Sequence, residues 1–363
     1  MLKKILEHPF VKVIKERWLT IAFVLGFCTD LILLNKIDDL FDSLMLLFYA
    51  SLATISFLLF YVGTAERAPQ FISKILANYS PTLMQYAFGG LLSGMLIFYG
   101  RSSDWMVSGP FLLLIIAVIL GNEFVHKRSN RLIYHLALYF IGIYAYIVLM
   151  LPVIFGHMGR FMFFGSGVVA LIVVTLLVQG LYRIVPRFME INTSKIILTI
   201  GFIYIGFNVL YFTNIIPPIP LSLTELEVVP SVEARSAAGT YRVTDEEKPW
   251  WDNLLPLPVT IHPSQSSVAC FASVYAPTRL TTDIFHHWEY KNAEGKWVSQ
   301  SRIPYPIASS GTAKGYRGYS YITKFSDGLW RCGVETETGQ VLGRKTFIID
   351  STTPAAGLVT RIE

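Results

Sequence analysis

Residues 196–223 read IILTIGFIYIGFNVLYFTNIIPPIPLSL, and the chain changes character within them. From Ile196 to Ile216 no residue is charged, a run long enough for a helix to cross a bilayer core about 30 Å thick. Pro217-Pro218-Ile219-Pro220 then stops the helix, because proline supplies no backbone N–H and disfavours the helical conformation of the residue before it. Ile216 is therefore read as the border between a membrane half and a soluble half.

Composition agrees. Hydrophobic residues make up 53% of the 363 and charged residues 15%, with a mean hydropathy of +0.50, whereas a water-soluble chain carries roughly 25% charge. Up to Ile216 there are 16 Lys+Arg and 10 Asp+Glu, and beyond it 14 and 15. The balance excludes collagen-like, disordered, disulfide-dense miniature and ordinary soluble proteins. It also argues against a nucleic-acid partner, because the positive charge lies beside apolar spans.

Seven apolar stretches are long enough to span: Trp18 to Leu34, Ser43 to Thr64, Leu83 to Gly100, Trp105 to Asn122, Leu132 to Phe155, Phe161 to Leu181 and Ile196 to Ile216. The fourth is the weakest, its fully apolar core running only from Pro110 to Leu120. Lys and Arg in short loops are retained on the cytoplasmic side. With seven spans, the inner segments hold thirteen such residues and the outer ones only Lys36, Arg101 and Arg160. The expectation is a seven-span membrane protein with its N-terminus inside, an uncleaved first span, and the C-terminal half outside. Residues 1–17 place Leu2, Ile5, Leu6, Phe10, Val13 and Ile14 at helical spacing among lysines, as in a helix lying on an anionic leaflet. A basic flank that merely orients the first span reads equally well.

Residues 217–263 read as a Pro-rich linker with one strand near Tyr241 to Val243. From 264 to 350 the hydrophobic period becomes two, giving strands at Ser267 to Tyr275, Asp283 to Lys291, Lys296 to Ile303, Gly318 to Lys324, Gly328 to Thr336 and Gln340 to Ile349. Short antiparallel strands at this spacing predict a β-sandwich, followed by a tail, 351–363. Cys270 and Cys332 both fall on core-facing positions, with Trp288 between them, an arrangement loosely like that of immunoglobulin-like domains. The likeness is loose because Cys270 to Trp288 is a longer gap than usual and Trp330 stands where a corner tyrosine belongs. Two readings stand side by side: a disulfide formed in an oxidising compartment, or two small buried hydrophobes.

The series His287-Trp288, Tyr316-Arg317-Gly318-Tyr319-Ser320, Gly328-Leu329-Trp330-Arg331 and Gly339 to Phe347 resembles the C-terminal domain of the bacterial domain-of-unknown-function 2914 family. The resemblance covers roughly the last hundred residues, and Pro217 to Leu223 looks like the entry to that domain. It implies a small β domain on a membrane platform and supplies no catalytic assignment. The stretch Pro304 to Lys314 is longer than the family's usual strand connection, so it could cover a ligand edge formed by the Tyr-Arg motif.

Chemistry is sparse. His286 and His287 point to opposite faces of a strand and cannot share a metal ion. Glu123 and His126 match half of a di-iron ligand set and lack the other half. The last span has no lysine to carry a retinal, and no phosphate loop or nucleophile elbow is present. No catalytic residue, metal or cofactor is therefore expected. Asp30 and His135 are ionisable groups within spans, where charge is costly and marks function by default; for Asp30 a shallow interfacial position is the competing reading. Arg317, Tyr316, Tyr319, Trp288 and His287 are the candidate binding residues, since aromatics with arginine serve recognition surfaces as well as small cores. The expected function is display of a periplasmic β domain to an envelope protein or cell-wall polymer. The alternative is a transporter or lipid-handling protein built on the polar residues of the helices.

Overall fold

The computed structural model describes residues 18–34, 40–121, 128–235, 240–246, 258–263, 267–277, 280, 282–307, 315–353 and 357–362. The N-terminal segment before Trp18, and Glu123 with His126, lie outside these. A helical region precedes a β-rich one.

The helices are α1 (Trp18–Leu33), α2 (Leu40–Thr64), α3 (Gln70–Arg101), α4 (Trp105–Gly121), α5 (Arg128–Phe155), α6 (Arg160–Ile184) and α7 (Pro186–Phe212). Five contain membrane-length apolar stretches: Phe41–Thr64, Gln70–Arg101, Leu132–Phe155, Arg160–Ile184 and Pro186–Phe212. α1 and α4 have 16 and 17 residues, shorter than the spans expected from sequence. α3 begins thirteen residues before the expected span, and its Pro81 sits inside the helix. α7 starts at Pro186, where the missing N–H is not needed by the first turn. It stops before the prolines that were expected to end it: Thr213 caps the helix and Asn214 takes φ +59°, the left-handed conformation common just past helix ends.

Glycines set how closely α1, α2 and α3 pack. A Cβ on Gly26 would lie 2.6 Å from Tyr86 O and 2.9 Å from Gly90 N, so the backbones of α1 and α3 touch there. One on Gly90 would lie 2.5 Å from the Tyr49 ring, and one on Gly94 2.5 Å from a Leu46 methyl. Side chains facing away from the interior are apolar: Leu44, Leu47 and Ile55 on α2, Phe161, Ile172 and Leu176 on α6, and Ile197, Leu198, Phe202 and Ile205 on α7 are exposed.

Eleven strands follow among the described residues: β1 (Ser222–Val229), β2 (Ser231–Arg235), β3 (Thr240–Glu246), β4 (Val259–Ile261), β5 (Val268–Tyr275), β6 (Thr282–Lys291), β7 (Trp297–Ile307), β8 (Tyr316–Ile322), β9 (Gly328–Thr336), β10 (Val341–Ile349) and β11 (Leu358–Ile362). They form three sheets, ordered β1-β5-β8, β4-β10-β9-β6-β7 and β11-β3-β2. All pairings are antiparallel except β4 with β10.

The segment read as a linker therefore supplies four strands, and the tail supplies β11. β1 was hidden in sequence because SLTELEVV mixes Glu225 and Glu227 with apolar residues. Arg361 of β11 pairs with Glu227 and reaches Glu225. The sheet β1-β5-β8 is covered on both faces. Val228, Val268, Cys270 and Ile322 meet Trp288, Trp330, Cys332 and Phe347 of the five-stranded sheet. On the other face Val229, Ala269 and Phe271 meet Val232 and Val243 of the third sheet. This explains why β5 reads VACFASVY: a strand buried on both sides loses its polar alternation.

Candidate functional site

A buried polar junction lies in the core of the β unit. Cys270 and Cys332 are joined in a disulfide between β5 and β9. Next to Cys270 in the sheet, β8 presents Ser320 inward. Ser320 Oγ accepts the indole N–H of Trp288 at 2.9 Å and lies 2.8 Å from His286 Nδ1. Burial pushes the His286 imidazole down to about 3, so it stays neutral. Its ring stands 4.7 Å from that of Tyr305, which packs over Gly318, where a Cβ would lie 2.5 Å from the Tyr305 ring. Trp288 is fully buried and so cannot belong to an exposed binding edge: its indole fills the space between the sheets, where burial of a large aromatic contributes most.

The opposite face of β6, β7 and β9 carries a lattice of charges. His287 Nδ1 lies 3.2 Å from Glu335 Oε2 and its Nε2 2.8 Å from Ser299 Oγ. Arg302 donates to Glu335 at 2.6 Å and to the carbonyls of Thr336 and Glu337, with its guanidinium 4.0 Å above Phe285. Arg331 is bidentate to Glu289 and lies 4.3 Å over Trp297. The hydrogen bond with Glu335 holds the His287 imidazole above its ordinary range against a weaker opposing effect of burial. For Glu335 burial acts upward, but His287 and Arg302 outweigh it and hold the carboxyl low. The two neighbouring histidines thus face opposite sides, as strand alternation requires.

Tyr319, on the end strand β8 of its sheet, is half-buried. Tyr319 and Tyr321 pack on the cluster shared with the third sheet, the rings of Tyr319 and Tyr241 lying 5.7 Å apart. Tyr321 Oη pairs with both the N–H and the C=O of Val232. Sequence reasoning missed this because β2 and β3, which cover these tyrosines, lay largely in the presumed linker. Arg317 and Tyr316 behave differently. Both are half-buried, and Arg317 Nε and Tyr316 Oη are buried atoms with no hydrogen-bond partner among the described residues. The Arg317 carbonyl accepts from Tyr241 Oη at 3.1 Å, fixing the backbone. Thus the five candidate binding residues are not brought together: Trp288 is core, His287 is locked in the lattice, Tyr319 is covered, and Arg317 with Tyr316 retain unused polar groups.

In the helical unit Asp30 is fully buried among the helices. Its Oδ1 accepts from Tyr49 Oη at 2.7 Å, and its Oδ2 pairs with Ser93 Oγ. Three helices meet at this carboxyl. His135, on α5, sits among rings, 6.4 Å from Phe57, 6.3 Å from Phe88 and 6.3 Å from Tyr134, and is not joined to Asp30.

Residues 281–349 match the family described as Protein of unknown function (DUF2914), the C-terminal family that the sequence resembles. No curated protein matches the chain. Among solved structures, the Pseudomonas fluorescens alkylpurine DNA glycosylase AlkC bound to DNA containing an abasic site analog aligns over 87% of this chain and 100% of that chain, at 11% identity and a TM-score of 0.19. Such a score carries no argument about fold or function.

Proposed function

We propose that the chain is a bacterial inner-membrane protein with seven spans, its N-terminus cytoplasmic, that displays an immunoglobulin-like β-sandwich in the periplasm for binding an envelope protein or cell-wall polymer. The observation that carries the binding reading is the contrast among arginines. Arg302 and Arg331 are consumed by neighbours in their own sheet, whereas Arg317 Nε and the adjacent Tyr316 Oη have no partner among the described residues. A buried donor left unmade costs about 1–3 kcal/mol, which a ligand oxygen would recover. A planar guanidinium suits a carboxylate, phosphate or sugar-acid group. Membrane placement is supported by the five long apolar helices with apolar outward faces. A periplasmic position is supported by the thirteen-to-three loop charges and by the disulfide, which persists in oxidising compartments.

The test is to compare Arg317→Ala and Arg317→Lys with the parent chain in detergent, measuring retention on purified cell-wall polymer and cross-linking within intact envelopes, beside thermal melting. Loss of both retention and cross-links at an unchanged melting temperature supports recognition. A marked drop in melting temperature with binding retained per folded molecule means that Arg317 is architecture. A second reading, a transporter or lipid-handling protein, is favoured by the buried Asp30 carboxyl at the junction of three helices.

A further inference from the structure

Asp30 stands four residues beyond Gly26, where α1 touches α3, and so one turn along the same helical face. That contact sets it against Ser93, itself three residues beyond Gly90. The Tyr49 ring fits against Gly90 and delivers its hydroxyl from α2. The side chain is 0% exposed, yet its hydrogen-bond partners are two neutral hydroxyls. The ionisable groups nearby are Tyr49, Tyr86, whose ring lies 5.8 Å from that of Tyr49, and the buried Asp42. No Lys, Arg or His pairs with Asp30 among the described residues.

Counting protons defines two arrangements, and burial decides between them. Ser93 Oγ is in contact with two acceptors, Asp30 Oδ2 and, at 2.9 Å, Gly90 O, but a serine hydroxyl has one proton to give. If Ser93 donates to Gly90 O, its contact with Oδ2 needs a proton from the carboxyl itself. Tyr49 then donates to Oδ1, Asp30 donates to Ser93, Ser93 donates to Gly90, and every group is satisfied. The ionised arrangement instead leaves a buried negative charge that faces, among the described residues, only neutral donors, which is strongly unfavourable, and a group so placed takes up a proton.

We infer that Asp30 is a proton-binding site within the helical unit, a neutral carboxylic acid linking α1, α2 and α3 that exchanges its proton through the Tyr49 and Ser93 hydroxyls. The site stands independently of the β unit and of the binding role proposed for Arg317. A neutral acid in apolar surroundings reacts with an apolar carbodiimide. The carboxyl oxygen adds to the central carbon, the carboxyl proton goes to one nitrogen, and rearrangement gives an N-acylurea with no atom lost.

The experiment treats the full chain in membrane vesicles with dicyclohexylcarbodiimide, and in parallel with a water-soluble carbodiimide, at a series of pH values, followed by peptide mass mapping. The expected result is an adduct on Asp30 with the apolar reagent, weaker as pH rises, absent in Asp30→Asn and displaced along the pH axis in Tyr49→Phe and Ser93→Ala. An unmodified Asp30 at neutral and mildly acidic pH, in a preparation whose Asp30 becomes reactive once unfolded in detergent and acid, overturns the inference. So does equal labelling by the water-soluble reagent, which would place the carboxyl in water. The parent chain alone decides these outcomes if a variant fails to accumulate.

Discussion

Trp288 Nε1 donates to Ser320 Oγ at 2.9 Å, joining the five-stranded sheet to the sheet centred on β5 beside the Cys270–Cys332 bridge. The same oxygen meets His286 Nδ1 at 2.8 Å, so one serine partners two buried rings, while His286 Nε2 has no partner among the described residues. Ser320→Ala removes both partnerships and leaves polar atoms unpaired in the core. Thermal melting should show a loss of about 1–3 kcal/mol; an unchanged melting temperature would mean that the two rings find other partners.

The bridge closes a loop of 62 residues in sequence separation. Constraining the unfolded chain in this way is worth about 2–5 kcal/mol in small extracytoplasmic domains. Cys270→Ala combined with Cys332→Ala should lower the melting temperature of the β unit about as much as a reductant lowers that of the parent. Reductant should leave the double variant unchanged, and a further drop there would show that the bridge is not what the reductant breaks.

The His287–Glu335–Arg302 lattice should make stability bell-shaped in pH. The raised His287 contributes stability that is full below its unfolded pKa and is lost as pH rises through its folded one. The lowered Glu335 contributes stability that is present above its unfolded pKa and is lost as pH falls through its folded one. The maximum therefore lies between the ordinary carboxylate and imidazole ranges. Melting followed against pH should lose its acid limb in Glu335→Gln and its alkaline limb in His287→Gln; a parent-like profile in both would remove the lattice from the stability account.

Gly90→Ala would bring a methyl within 2.5 Å of the Tyr49 ring, whereas a Cβ on Gly165 meets nothing within 4 Å. Overpacking of this kind costs about 1–3 kcal/mol, while an unobstructed helical Gly→Ala gains up to about 1 kcal/mol. Detergent-solubilised Gly90→Ala should melt lower than the parent and Gly165→Ala no lower. Equal melting of all three would contradict the close approach of α2 and α3.

What sequence could and could not show follows from which residues carry local signals. β9 runs Gly328–Thr336 as its alternation and flanking turns indicate, and β5, β6, β8 and β10 lie within a few residues of expectation. β1, β2 and β11 escaped because charges among their apolar residues have distant partners: Glu227 reads as solvated until Arg361 is placed beside it. β4 escaped because it is only three residues long. Two of the candidate binding residues are hard to place from sequence for the same reason. Trp288 and Tyr319 have the composition of a recognition edge, and only the sheets packed against them show Trp288 to be core and Tyr319 half-buried. Asp30 was visible as a carboxyl within an apolar stretch, but its burial depends on Gly26 and Gly90, whose closeness no periodicity reports. The residues from 308 to 314, read as part of a covering loop, lie outside the described residues, while the preceding Pro304 to Ile307 extend β7.

The central claim, a helical membrane platform holding the β unit outside the cytoplasm, is tested most directly by appending to the full chain, after Glu363, a reporter active only when exported and, in a parallel strain, one active only in the cytoplasm. The account predicts activity from the exported reporter and silence from the cytoplasmic one. The reverse pattern at equal abundance would contradict the seven-span topology and, with it, both the oxidising environment of the Cys270–Cys332 bridge and the periplasmic partner of Arg317.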